Sequence, residues 1–233
     1  MNDHSPTLTE RFSDAVEFAR RTHEGDVRKG TSVPYLSHLM SVSALVLEHG
    51  GSEDQAIAGL LHDTAEDHGG QRKLDEIRGR FGDTVADIVA VCTDSLADRR
   101  EDKEPWWPRK VKYVDHLASA PEEALLVSAA DKLHNARCIL ADLRRDGTAV
   151  WGLFNKDAGR VGTLWYYRRL AGVFAEHLAG STLAAELQRT VGSILDRAAA
   201  LGGDVEEDWS GGCLKEQEVR SDLLSPPAPS TGP

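Results

Sequence analysis

The chain reads as a succession of helical stripes. Apolar residues recur three and four apart through Phe12, Ala15, Val16 and Ala19, a spacing that His23 continues. A second stripe runs through Met40, Val42, Leu45, Val46 and Leu47. A third (Ala56, Ile57, Ala58, Leu60, Leu61) leads straight into His62-Asp63. Leu74, Ile77 and Phe81 predict a short amphipathic helix, and Val85, Ile88, Val89 and Val91 another. Further stripes run from Ala124 to Ala130, from Trp151 to Phe174 as one long helix, and from Leu183 to Leu195. No alternating strand pattern is present, so the expected fold class is all-α, a helical bundle.

Punctuation agrees with the stripes. Thr7-Leu8-Thr9-Glu10 reads as a capping box with Thr7 at the N-cap, and Ser52-Glu53-Asp54-Gln55 as a second. The helix begun at Ser52 is expected to carry His62-Asp63 and to end at Gly69-Gly70. Pro121-Glu122-Glu123 suits a helical first turn, with acids at the positive end of the dipole. Asp94 to Pro108 is polar and reads as a solvated loop whose Trp106-Trp107 would form a lid or contact surface. From Gly202 the periodicity dissolves. The expected organisation is one domain over residues 1–200 and a disordered tail over 201–233.

Composition narrows the partners. The formal net charge of -11 argues against DNA or RNA, whose phosphates need a basic surface. No apolar run approaches the ~20 residues that span a bilayer, and Met1 to Pro6 has no basic n-region, so no membrane association and no secretory signal are expected. Cys92, Cys138 and Cys213 are widely spaced with no CxxC, which favours a reducing cytoplasm. Oligomeric state is not set by any of this. Neither a G-x-G-x-x-G, a Walker A nor a G-x-S-x-G motif is present.

The chemistry concentrates in Leu60 to His68. Helical spacing would stack Asp63 over Glu66 and Asp67, and His62 over Glu66. Carboxylates that close repel and raise one another's pKa, a conflict that a divalent cation removes. His38, in the first turn of its helix, and Asp131, behind an apolar run, supply the rest of a candidate set from distant helices. Each alone has an ordinary reading: His38 filling a helix start, Asp131 on a polar stripe beside Lys132. Together, His38, His62-Asp63 and Asp131 form a mixed nitrogen and oxygen set suited to manganese, iron or zinc. Arg28-Lys29-Gly30, otherwise a solvated basic pair, becomes a candidate clamp for a phosphorylated ligand.

These pieces resemble the HD superfamily of metal-dependent phosphohydrolases, with its H…HD…D order. More closely, the chain is similar to the hydrolase domain of Rel/Spo homologues and the stand-alone small alarmone hydrolases of the stringent response. The matching segments are Arg28-Lys29-Gly30, Pro34 to His38, Leu61 to Asp67, Phe81-Gly82-Asp83 and Ala130 to Asn135. The resemblance implies an HD-domain helical bundle and a Mn2+ site (Fe2+ or Zn2+ being alternatives) made by His38, His62, Asp63 and Asp131. It implies Glu66 and Asp67 as the catalytic acidic pair, and Arg28, Lys29 and Asn135 as substrate contacts. The implied reaction removes the 3′-pyrophosphate of ppGpp or pppGpp, giving GDP or GTP. Two departures, Leu39 for the usual Pro and Lys132 for the usual Arg, leave the ligands intact and bear on substrate preference. The alternatives are an HD phosphohydrolase for another nucleotide (an adenine alarmone, a nucleotide monophosphate or NADPH) and a non-catalytic nucleotide-binding module.

Overall fold

The structure, a computed structural model, describes residues 7–224; Met1 to Pro6 and the last residues of the expected tail lie outside them. Among the described residues there is no β-strand, only an isolated bridge between Val27 and Pro34. In chain order the α-helices are α1 (Glu10–Thr22), α2 (Leu36–Glu48), α3 (Glu53–Leu61), α4 (Thr64–Asp67), α5 (Gly70–Phe81) and α6 (Asp83–Cys92). Then come α7 (Trp106–Leu117), α8 (Glu122–Asp146), α9 (Gly159–His177), α10 (Thr182–Ala200) and α11 (Val205–Leu224). Short 3-10 turns cover Arg100–Asp102 and Gly147–Leu153. The 25-residue α8 runs through the centre and packs against α2, α3, α6, α9 and α10. Its apolar face, from Ala124 to Leu143, is buried against them.

Two close packings position the site. Ser52 and Gln55 form the reciprocal capping box at the start of α3, with bonds of 2.8 and 3.3 Å. Behind it, Gly59 lets α3 lie backbone to backbone on α2: a Cβ there would sit 3.1 Å from Ser43 Cα. That contact carries His38 on α2 and His62 after α3 towards each other.

Several sequence expectations are corrected. Helix α1 is capped by Thr9, not Thr7: Thr9 Oγ1 accepts from the Arg11 N–H at 3.3 Å, while Glu53 of α3 takes the Thr9 N–H. The helix begun at Ser52 does not run through His62-Asp63. The His62 Nδ1 bonds the Gly59 carbonyl at 2.8 Å, an acceptor that a continuing helix would give to the Asp63 N–H. The chain therefore breaks at His62-Asp63 and resumes as the single turn α4. Trp106 does not sit in a lid. It opens α7 and is buried edge-on against Trp165 and Tyr166, with centroids 6.4 and 5.9 Å away. The expected long helix after Gly147 is interrupted at Phe154 to Ala158, where the Asn155 side chain accepts the Asp157 N–H at 2.8 Å.

The largest correction is α11, which occupies residues 205–224 of the expected disordered tail. Its apolar pattern is poor because polar contacts dock it. Trp165 Nε1 donates to Glu216 at 3.0 Å, Arg160 pairs with Asp208 at 2.7 Å, and Arg220 clasps Asp115 of α7 at 2.7 Å. Gly212 lies directly on Trp165, where a Cβ would meet the Trp165 Cβ at 2.5 Å.

Candidate active site

His38 and His62 are fully buried imidazoles whose Nε2 atoms face two carboxylates. His38 Nε2 lies 3.2 Å from Asp131 Oδ1 and 3.6 Å from Asp63 Oδ2. His62 Nε2 lies 3.0 Å from Asp63 Oδ2 and 3.5 Å from Asp131 Oδ1. Four side chains from α2, the α3–α4 break and α8 thus converge on one point. His38, His62 and Asp131 satisfy the mutual distances of a metal-ligand group, and Asp63 approaches both imidazoles from the side.

The donor set fits a divalent cation. The Nδ1–H of His62 donates to the Gly59 carbonyl, which leaves the Nε2 lone pair facing the carboxylates. His38 Nδ1 lies 2.8 Å from His134 Nδ1, and with His38 as the donor its Nε2 lone pair is presented in the same way. Neither Nε2 finds a hydrogen-bond partner of adequate geometry. Buried lone pairs set against buried carboxylates repel unless a proton or a cation lies between them. Burial works to raise the Asp131 carboxyl, but Lys132 and His62 outweigh it and hold it well below the usual range. Asp131 is thereby held anionic. Burial works to lower the His62 imidazole, but Asp63 and Asp131 outweigh it and raise it well above its usual value, so a bound cation would take the place of the His62 proton.

The acidic pair stands beside this cluster. Lys103 Nζ donates to Glu66 Oε1 at 3.0 Å and reaches Asp67 at 3.9 Å. Burial, then the Asp94 charge, raises the Glu66 pKa against the pull of Lys110 and Lys103. Asp67 is pushed up to about 7 by partial burial and by the negative charges of Asp63 and Glu66. A carboxyl that titrates near neutrality can both accept and release a proton.

The expected substrate contacts lie on the other flank. Arg28 Nη2 donates to Asn135 Oδ1 at 2.8 Å, and Asn135 Nδ2 donates to Asp131 Oδ1. The basic loop is therefore bonded to the α8 residue one turn beyond Asp131. A cavity of about 540 Å³ opens there, bounded by Arg28, Lys29, Asn135 and the apolar Leu153 and Phe154. A second of about 780 Å³ is bounded by Lys29, Glu66, Asp67, Lys103 and Lys110. Both include Lys29 and Tyr35, so the two cavities adjoin there, and Tyr35 in turn donates to Asp63 of the cluster.

Sequence reading missed four supporting groups. Tyr35 O–H donates to Asp63 Oδ2 at 2.6 Å, and His134 orients His38. Lys103 meets Glu66, and the buried Asp94 binds Arg109 and Lys110 beside it. Their separations from their partners, 28, 96 and 37 residues for the first three, follow no local period. Only Tyr35 and His134 left a local signal, three residues before His38 and three after Asp131.

A helical bundle that gathers two imidazoles and two carboxylates in H…HD…D order defines a metal-type phosphohydrolase scaffold. The HD domain family model matches residues 15–164, and the chain belongs to that family. It is 35% identical over 142 residues to guanosine-3′,5′-bis(diphosphate) 3′-pyrophosphohydrolase MESH1 of Xenopus tropicalis, covering 59% of this chain and 72% of that one. It is 31% identical over 165 residues to guanosine-3′,5′-bis(diphosphate) 3′-pyrophosphohydrolase of Aquifex aeolicus, covering 71% of this chain and 19% of that one. Among solved structures it superposes on a metazoan ortholog of SpoT, described as hydrolysing ppGpp, with a TM-score of 0.62. That match has 23% identity and covers 82% of this chain and 97% of the other. No helix among the described residues is long and apolar enough to cross a membrane.

Proposed function

We propose that this chain is a metal-dependent hydrolase that removes the 3′-pyrophosphate of guanosine 3′,5′-bis(diphosphate) and its pentaphosphate relative. The observation that carries the reading is the pair of orphaned imidazole nitrogens, His38 Nε2 and His62 Nε2, aimed at Asp63 and Asp131. The relatives' named activity adds the substrate. His38, His62, Asp63 and Asp131 would hold the ion, with Mn2+ the assigned metal. When bound, such an ion neutralises phosphoryl charge and makes water more acidic.

The chain's own residues supply the remainder. Arg28 and Lys29 offset the substrate's charge, which a protein of net charge -11 would otherwise repel. Asn135 fixes Arg28 in place, and the apolar wall at Leu153 and Phe154 receives the base. Water attacks the phosphorus attached to the 3′-oxygen. Asp67 takes the water's proton while Glu66, steadied by Lys103, orients the water. The P–O3′ bond breaks, pyrophosphate departs, and the 3′-oxygen is protonated.

The test is incubation of Mn2+-loaded protein with guanosine tetraphosphate, followed by chromatography. Guanosine diphosphate and pyrophosphate in equal amounts are expected. Intact substrate in the presence of Mn2+ refutes the assignment, and parallel assays on adenine alarmones, nucleotide monophosphates and NADPH then identify the substrate.

A further inference from the structure

A second group of imidazoles around a carboxylate lies outside the set just described. His23, at the C-cap of α1, presents Nδ1 to Asp26 Oδ2 at 3.0 Å. His68, at the C-cap of α4, presents Nε2 to the same oxygen at 2.7 Å. The two rings meet edge to face with centroids 4.5 Å apart, and ligand atoms of all three residues fall within 4.8 Å of one another. We infer that His23, Asp26 and His68 form a second divalent-cation site, separate from His38, His62, Asp63 and Asp131.

The donor chemistry selects the ion. Two imidazoles and one carboxylate are the ligand set of open zinc and non-haem iron sites, which keep positions for water or substrate oxygen. Those positions are available here because the Asp26 and His68 side chains are 39% and 28% exposed. His23 is the fixed member. Its side chain is 1% exposed, and its ring stacks on Tyr35 at 5.3 Å with planes 20° apart. Burial, then the His68 charge, pulls the His23 imidazole down to about 4, so it is neutral at physiological pH, as a ligand must be. Its Nε2 lies 3.4 Å from the buried Thr64 hydroxyl. When Nδ1 faces the ion, the ring proton sits on Nε2 and Thr64 accepts it, the usual outer support of a metal-bound histidine.

The three ligand atoms, all within 4.8 Å of one another, lie close enough to share one ion. Tetrahedral ligands ~2.0–2.1 Å from zinc stand roughly 3.3 Å from one another. The observed 2.7 and 3.0 Å require a small outward movement of Asp26 and His68, the two exposed members.

The site's place in the fold gives it a role. Asp26 leads the loop bearing Arg28 and Lys29, and its carbonyl accepts the Tyr35 N–H at 2.9 Å. His68 directly follows Glu66-Asp67. An ion bridging them pins the basic loop to α4 and holds both flanks of the neighbouring cluster in register. The inference rests on these three residues and not on the proposed alarmone reaction.

Zinc equilibrium dialysis of the full chain, with metal content measured by mass spectrometry, tests it. Wild type is expected to bind two equivalents. Asp26→Asn and His68→Gln, both at partly exposed positions, each bind one; His38→Ala also binds one; His38→Ala with His68→Gln binds none. With cobalt in place of zinc, His68→Gln removes one of two sets of visible absorption bands. A single equivalent in wild type that Asp26→Asn and His68→Gln leave unchanged overturns the inference. So do two equivalents retained in both variants. If His68→Gln removes one equivalent but His38→Ala removes none, the second site stands and the HD-cluster reading falls.

Discussion

At the scale of single residues, the site's behaviour follows from which atoms lack partners. His38 presents Nε2 because His134 occupies its Nδ1. Replacing an outer partner of a metal-binding histidine typically costs 10–100-fold in metal affinity. His134→Phe is therefore expected to weaken Mn2+ binding by about that factor, measured by competition with a chelator, while His38 itself is unchanged. The acidic pair gives two further expectations. Glu66→Gln and Asp67→Asn should each lower kcat by roughly 10²–10⁴ with metal content retained; wild-type turnover in either variant removes that residue from the chemistry. Asp67 also ties stability to pH. Its folded pKa, about 7, lies above its ordinary value of 3.8, so the native state binds more protons across that interval. In chelator-treated protein this contribution is full below pH ~4 and is lost as pH rises towards ~7. Urea denaturation between those limits should show the decline, and Asp67→Asn should flatten it.

At the scale of elements, α2 and α3 carry the geometry. Their backbones touch at Gly59 and Ser43, so an added side chain pushes the two helices apart. Overpacking of this kind costs about 1–3 kcal/mol. Gly59→Val is expected to lower the melting temperature by several degrees and to weaken metal binding as well, because His38 and His62 ride on the separated helices. A stability loss with metal affinity unchanged would show that the cluster does not depend on this contact. The break between α3 and α4 is likewise built in: the His62 ring takes the carbonyl that continuation would need. Helical spacing alone cannot register that competition, which is why an uninterrupted helix was the natural sequence reading.

At the scale of the whole molecule, α11 closes the bundle over α7 and α9 through polar contacts. Glu216 meets Trp165 Nε1, Arg169 and Arg220 at once; Glu216→Ala strands the fully buried Trp165 N–H, while the half-exposed Arg169 turns to water and Arg220 keeps Asp115. Each buried unsatisfied group costs about 1–3 kcal/mol. Thermal denaturation of Glu216→Ala should show a fall of several degrees; an unchanged midpoint would mean α11 contributes nothing to stability. The sequence by itself determined the all-α class, the stripes of α1, α2, α3, α5, α6, α8 and α10, the cap at Ser52 and the candidates for the central cluster. It could do so because apolar periodicity and short motifs are local, and because the resemblance supplied the order of His38, His62, Asp63 and Asp131. Only the tertiary structure decided that Trp106 is core, that Thr9 yields its N–H to Glu53, that Tyr35 and His134 steady the cluster, and that residues 205–224 form a helix. Each of those rests on a partner tens of residues away, and a hydrogen bond or ion pair across that separation leaves no period in the chain.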